Sequence, residues 1–250
     1  MNAPLAGKVA LVTGAGKNIG RAIALRLAAD GAAIVVNGRS DEAAIKAVAE
    51  EITAAGGRAM AYRADITKPE EVAAMANAVA ASFGGVDILV TNAGLRRQTS
   101  FLDMSFAEWR EILSVALDGA FIITQAFAQQ MIARGGGSII GLSGISTHVG
   151  TPNRAHVSAS KSGLEGLMRA LAVELAPKGI RANCVAPGAV DTVRGASAGS
   201  MPSTLADNGI PMRRRASVAE IADVVRMLAG PEGGYITGQT IHVNGGAFLT

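Results

Sequence analysis

At 250 residues, 49% hydrophobic and 17% charged, with a mean hydropathy of +0.31, the chain can bury a substantial core, which excludes disorder. Its formal charge of +3 comes from basic residues spread along the chain, apart from Arg96-Arg97 and Arg213-Arg214-Arg215, which excludes a concentrated nucleic-acid footprint. A single cysteine, Cys184, excludes an internal disulfide; its apolar run, 180–186, marks it as a small buried hydrophobe.

Strand and helix signals alternate from end to end. An apolar, β-branched run at 8–13 predicts a strand, and 19–29 a helix stopped by Gly31. Residues 33–37 form a second strand, 41–55 an alanine-rich helix stopped by Gly56-Gly57, and 58–64 a third strand. A helix over 69–83 carries Pro69 near its first turn, where proline is tolerated. A fourth strand covers 86–91. A long helical stretch covers 105–133, with a break near Gly119. Then come a strand at 138–143, a helix at 157–176, a strand at 180–186, a helix at 217–228 and a last strand at 239–243.

The strands are apolar throughout instead of alternating, as in sheets covered on both faces. Repeated strand–helix units imply right-handed crossovers. The expected fold is therefore α/β: one Rossmann-like doubly wound domain over 1–250, with about seven parallel strands and helices on both faces. Residues 192–212, rich in Gly, Ser and Pro, are expected to form a substrate loop or lid. Residues 1–7 are too short and too weakly basic for a signal peptide, and no apolar run reaches the roughly 18 residues of a membrane helix. A cytoplasmic protein without membrane or nucleic-acid partners is expected.

Thr13-Gly14-Ala15-Gly16-Lys17-Asn18-Ile19-Gly20 joins the first strand to the first helix. Glycines there let backbone approach a pyrophosphate, and the helix start offers free N–H groups. At the end of the second strand, an acid would hold a ribose 2′-hydroxyl and repel a 2′-phosphate. Gly38 stands there instead, with Arg39 and Lys17 able to meet a phosphate. NADP(H) is therefore expected over NAD(H).

These residues resemble the short-chain dehydrogenase/reductase family, whose glycine pattern is TGxxxGxG. Asn18 departs from it at a glycine position, and asparagine tolerates positive φ. The resemblance implies that Asp65 and Ile66 lie beside the adenine, and that Asn92-Ala93-Gly94 supports the fourth strand and lines the cofactor. It also implies that Pro187-Gly188 with Thr192 holds the nicotinamide amide. Val243-Asn244-Gly245-Gly246 is family-like as well. The long helices at 105–133 and 157–176 correspond to those that build tetramers in the family, so a homotetramer is expected.

The segment Ala155-His156-Val157-Ser158-Ala159-Ser160-Lys161 resembles the family's active-site helix. In the family a tyrosine four residues before the lysine donates the proton, a serine orients the carbonyl and an asparagine supports a relay water. Lys161 is kept. The tyrosine position is Val157, the serine position Gly144 and the asparagine position Ala116. Ser143 or Ser146 is close enough to substitute for the serine. His148, in the loop after the fifth strand, is the better candidate acid, because His156 lies about 140° around the helix from Lys161. The expected catalytic set is Lys161, His148 and Ser143, with Lys161 also anchoring the cofactor. Three readings stay open: an atypical NADP-dependent oxidoreductase, a non-redox lyase or isomerase on the same scaffold, and a catalytically silent NADP-binding protein. Arg96-Arg97 suggest an anionic group on a small-molecule substrate.

Overall fold

The computed structural model describes residues 3–193 and 209–250. Seven strands form one parallel sheet: β1 (Val9–Val12), β2 (Ala33–Gly38), β3 (Ala59–Arg63), β4 (Ile88–Thr91), β5 (Gly137–Leu142), β6 (Ile180–Pro187) and β7 (Thr240–Val243). Their spatial order is β3-β2-β1-β4-β5-β6-β7. The order reverses between β1 and β4, and such a reversal opens a crevice beyond the carboxyl ends of the strands.

The continuous apolar runs have a simple cause. Ala10 and Val12 of β1 face one core, with Ile23 and Leu27 of α1 (Asn18–Ala29), Ile45 and Val48 of α2 (Glu42–Ala54), and Ile221 and Val225 of α8 (Val218–Ala229). Val9 and Leu11 face the other, with Val72 and Met75 of α3 (Pro69–Phe83), Phe127 and Met131 of α5 (Gly119–Ala133), and Leu164 and Met168 of α7 (Ala155–Leu175). Each strand is buried twice, so neither alternate set can be polar.

Helix ends follow local chemistry. Asp41 and Ser105 accept from the amides of Ala44 and Glu108, capping α2 and α4 (Phe106–Leu113). Ser217 and Glu220 form a reciprocal capping box on α8. Gly84 closes α3 in the left-handed conformation, φ 76°.

Several features differ from expectation. The break near Gly119 is a π-helical turn, Ser114–Asp118, between α4 and α5, a distortion often found at functional sites. A short helix, α6 (Ser146–Val149), and an earlier start of α7, at Ala155, also escaped the sequence pattern. The fused stretch Phe106–Ala133 does meet the length and hydropathy of a membrane span. That corrects the sequence expectation, which judged shorter apolar runs. Ile112, Ile123, Phe127 and Met131 of that stretch are nevertheless fully buried in the protein, as in a core helix. The expected lid falls mostly on 194–208, outside the described residues; its flanks are anchored by Ile210, which is buried, and by the Met212 amide donating to the Gly245 carbonyl.

Candidate active site

A cleft of about 460 Å³ runs along the carboxyl edge of the sheet from the β1–α1 turn to the start of α7. It is lined by Gly14, Lys17, Asn18, Ile19, Gly20, Arg39, Asp65, Ile66, Asn92, Ala93, Gly94, Ser143, Lys161, Pro187, Gly188 and Thr192. Of the expected site residues, Gly16 and His148 are not on its wall.

The glycine turn is held from across the sheet. The Asn92 carboxamide donates to the carbonyls of Thr13 (2.8 Å) and Gly14 (3.1 Å), while the Thr13 hydroxyl accepts from the amides of Asn92 and Ala93, both at 3.0 Å. This strap ties the end of β4 to the turn after β1. A Cβ on Gly20 would stand 2.4 Å from the Gly14 carbonyl oxygen and 2.5 Å from the Asn92 amide nitrogen, so no side chain fits. Gly16 packs behind the turn, where a Cβ would stand 3.1 Å from Cβ of Ala44. Asn18 takes φ 51°, the conformation its side chain tolerates. Its carboxamide also exchanges two hydrogen bonds, each 2.9 Å, with the backbone of Val193 on the opposite wall.

At one end of the cleft, Asp65 accepts from the amide and hydroxyl of Thr67 and stands 4.0 Å from the Arg39 guanidinium. Gly38 has a tertiary reason to be small: its Cβ would lie 2.7 Å from Ile45, which is buried. An acid at that position would displace core packing as well as change charge.

At the other end, Lys161 donates to the Leu142 carbonyl. Burial, reinforced by the charge of Arg96, pushes its ammonium down to about 8. Val157, one turn earlier, is buried on the cleft wall. Gly144 sits in open space, the nearest atoms to an added Cβ being 4.0 Å away. Ala116 is buried in the π-helical turn, and its neighbour Val115 reaches the cleft.

The serines divide the labour. Ser143 lines the cleft, but its hydroxyl donates to Glu165 of α7, a carboxylate that is 5% exposed on its side chain. Thr147 donates to the same oxygen at 3.3 Å, and His148 Nε2 lies 3.0 Å from it. The His148 ring stacks on Phe248 and meets His242 edge-on. The geometry therefore turns His148 away from the cleft wall, because Glu165 draws its ring behind Ser143. Ser146, by contrast, lines the cleft, and its hydroxyl has no hydrogen-bond partner among the described residues. His156 is fully buried against Glu108, as its place on the helix implied. Cys184 is buried and its thiol is pushed up to about 12 by burial, which leaves it inert near neutrality.

Glu165 and Arg154 are the residues that sequence reasoning missed. Glu165 lies one turn beyond Lys161 on the same helical face, a spacing that could have pointed to it.

The family model described as enoyl-(acyl carrier protein) reductase matches residues 14–247. The chain belongs to the short-chain dehydrogenase/reductase family. It is 40% identical to a 3-oxoacyl-(acyl-carrier-protein) reductase FabG of Staphylococcus epidermidis, over 97% of this chain and 99% of that one. It is 39% identical to the Aquifex aeolicus protein of the same name, over 99% and 100%. Among solved structures, a short-chain dehydrogenase from Burkholderia cenocepacia in complex with NADP aligns with TM-score 0.89 at 35% identity, over 98% of this chain and 99% of that one. A putative short-chain alcohol dehydrogenase from Sinorhizobium meliloti aligns with TM-score 0.92 at 36% identity, over 99% and 98%. The chain is thus a short-chain oxidoreductase on a seven-stranded Rossmann-like sheet.

Proposed function

We propose that the protein interconverts a ketone and a secondary alcohol with NADP(H), and that Lys161 rather than a tyrosine moves the proton. The observation that carries this reading is the unbroken wall from the glycine turn to Lys161, with Val157 where the family has its phenol.

The residues present fit a dinucleotide. The cradle at Gly14 and Gly20 admits backbone approach, and the start of α1 presents unpaired amides to an anion. Arg39 and Lys17 would hold a 2′-phosphate, Asp65 and Ile66 would border the adenine, and Asn92-Ala93-Gly94, Pro187-Gly188 and Thr192 would line the rest. When bound, the nicotinamide supplies or accepts the hydride. The chain's own residues do the remainder. Ser146 has a hydroxyl available to orient a carbonyl oxygen. The Lys161 ammonium is an acid matched to neutral pH, since a donor works best when its pKa lies near the working pH. Ser143, Glu165 and His148 support that wall from behind. The one sheet makes a single domain the simplest reading of the chain. Exposed Phe106, Phe121 and Val173 on α4, α5 and α7 support a homotetramer of a cytoplasmic enzyme.

The test is the consumption of NADPH with a panel of ketones as a function of pH. The ammonium form is the donor, so reduction falls as pH rises through about 8, and the reverse oxidation rises through the same region. Lys161→Met lowers reduction by about 10²–10⁴, whereas His148→Ala changes it by less than about tenfold, because a supporting residue does not touch the reacting atoms. A flat pH profile between 6 and 10, or turnover without net cofactor oxidation, overturns the reading.

A further inference from the structure

The two walls of the cleft are tied together by one side chain. Residues 187–191 leave β6 along a row of backbone hydrogen bonds: the Pro187 carbonyl accepts from the Ile145 amide at 3.0 Å, Gly188 donates to Val243 at 2.9 Å, and Asp191 donates to Ala216 at 2.9 Å. Beyond Asp191 that support stops. Among the described residues, the only hydrogen bonds to Thr192 or Val193 are the two from the Asn18 carboxamide, which joins positions 175 apart in the chain.

Asn18 suits this contact through its side chain alone. Its Oδ1 accepts from the Val193 amide and its Nδ2 donates to the Val193 carbonyl, so one carboxamide satisfies both backbone groups of one residue. Glycine has no group that could do this, and aspartate has no donor. The backbone of Asn18 is left-handed, φ 51°, a conformation in which glycine rests more easily. Asparagine therefore gains nothing from its backbone here; what it adds is the bridge.

The bridge bears on Thr192. Its side chain lines the cleft together with Pro187 and Gly188, and its hydroxyl has no hydrogen-bond partner among the described residues, so it is available to a ligand. With Asp191 fixed on one side and Val193 on the other, Thr192 is ordered before any ligand arrives. Ordering a binding residue in advance removes that entropic cost from binding.

We infer that Asn18 is a positioning residue for the nicotinamide half of the cofactor: its bridge to Val193 holds Thr192 where that half binds. This inference rests on the cofactor reading above. The adenine half is assigned there to Arg39, Asp65 and Ile66, on other strands, so the two halves respond differently to loss of the bridge.

The experiment is calorimetric titration of the whole protein with NADP⁺ and with adenosine 2′,5′-bisphosphate, which lacks the nicotinamide half. Asn18→Gly weakens NADP⁺ by about tenfold, the worth of one or two solvent-accessible hydrogen bonds, and changes the bisphosphate by less than about twofold. The melting temperature of the cofactor-free variant stays the same or rises, since glycine accepts φ 51°, so a damaged fold is not the cause. Hydrogen exchange at the Val193 amide of the cofactor-free protein becomes at least about tenfold faster. Thr192→Val weakens NADP⁺ to a similar degree, and combining it with Asn18→Gly adds little, because both remove the same contact. If Asn18→Gly weakens both ligands alike or neither, if exchange at Val193 is unchanged, or if the two substitutions add in full, the inference alone is overturned. Wild-type protein that binds neither ligand refutes the cofactor reading and the inference with it.

Discussion

The two ends of the cleft are built from different materials. The nucleotide end is close-packed backbone pinned by two side chains: Gly20 has no room for a Cβ, and the Asn92 carboxamide and Thr13 hydroxyl tie the turn after β1 to the end of β4. The substrate end is defined by side chains standing on a frame that tolerates exchange. Gly144 has space around it, and Val157 lies in the first turn of α7. A short-chain oxidoreductase can therefore change the second without disturbing the first. The π-helical turn around Ala116 likewise carries only a buried methyl group at that position.

The sharpest way to break this comparison is to place a serine and a tyrosine at the substrate end. Gly144→Ser combined with Val157→Tyr is expected to raise NADPH-dependent reduction of simple ketones by about 10²–10⁴, the contribution of a positioned general acid. Steady-state cofactor oxidation measures it. No gain in a folded protein that still binds NADPH would mean that the substrate end differs in more than those two residues.

A smaller effect is expected from the paired glycines. Gly20→Ala forces its Cβ against the Gly14 carbonyl, and overpacking of this kind costs about 1–3 kcal/mol. Gly144→Ala, with nothing nearer than 4.0 Å, stays within about 0.5 kcal/mol. Denaturant unfolding compares the two, and equal losses would erase the distinction between the ends. Smallest is Arg39→Ala, expected to weaken NADP⁺ by about tenfold through loss of one charge-assisted contact and to leave NAD⁺ unchanged. Fluorescence titration of both cofactors reads it, and a parallel loss for NAD⁺ would count against the 2′-phosphate role.

Much of the frame was legible without coordinates. The double burial of each strand leaves a continuous apolar run that alternation cannot mimic, so residues 8–13 and 33–37 stood out as buried strands of a parallel sheet. The glycine turn was legible because its spacing falls between a strand and a helix, where only that backbone path is possible. The π-helical turn was not, since Ser114–Asp118 has ordinary helical composition, and its hydrogen-bond register shows only in the folded structure. His148 shows the same limit. Its place in the chain, in the loop after β5, suggested the cleft, yet Glu165, 17 residues later, turns the ring behind Ser143.

By itself, then, the sequence determined the order of strands and helices along the chain, the glycine turn between β1 and α1, and the identities of Lys161 and Val157 one helical turn apart. These depend on local periodicity, backbone freedom and residue identity. Only the tertiary structure decided that Arg97 pairs with Glu111, that the Ser143 hydroxyl donates a hydrogen bond to Glu165, and that burial beside Arg96 brings the Lys161 ammonium down to about 8. Those outcomes depend on the distance and dielectric between groups far apart in the chain, which residue order alone does not encode.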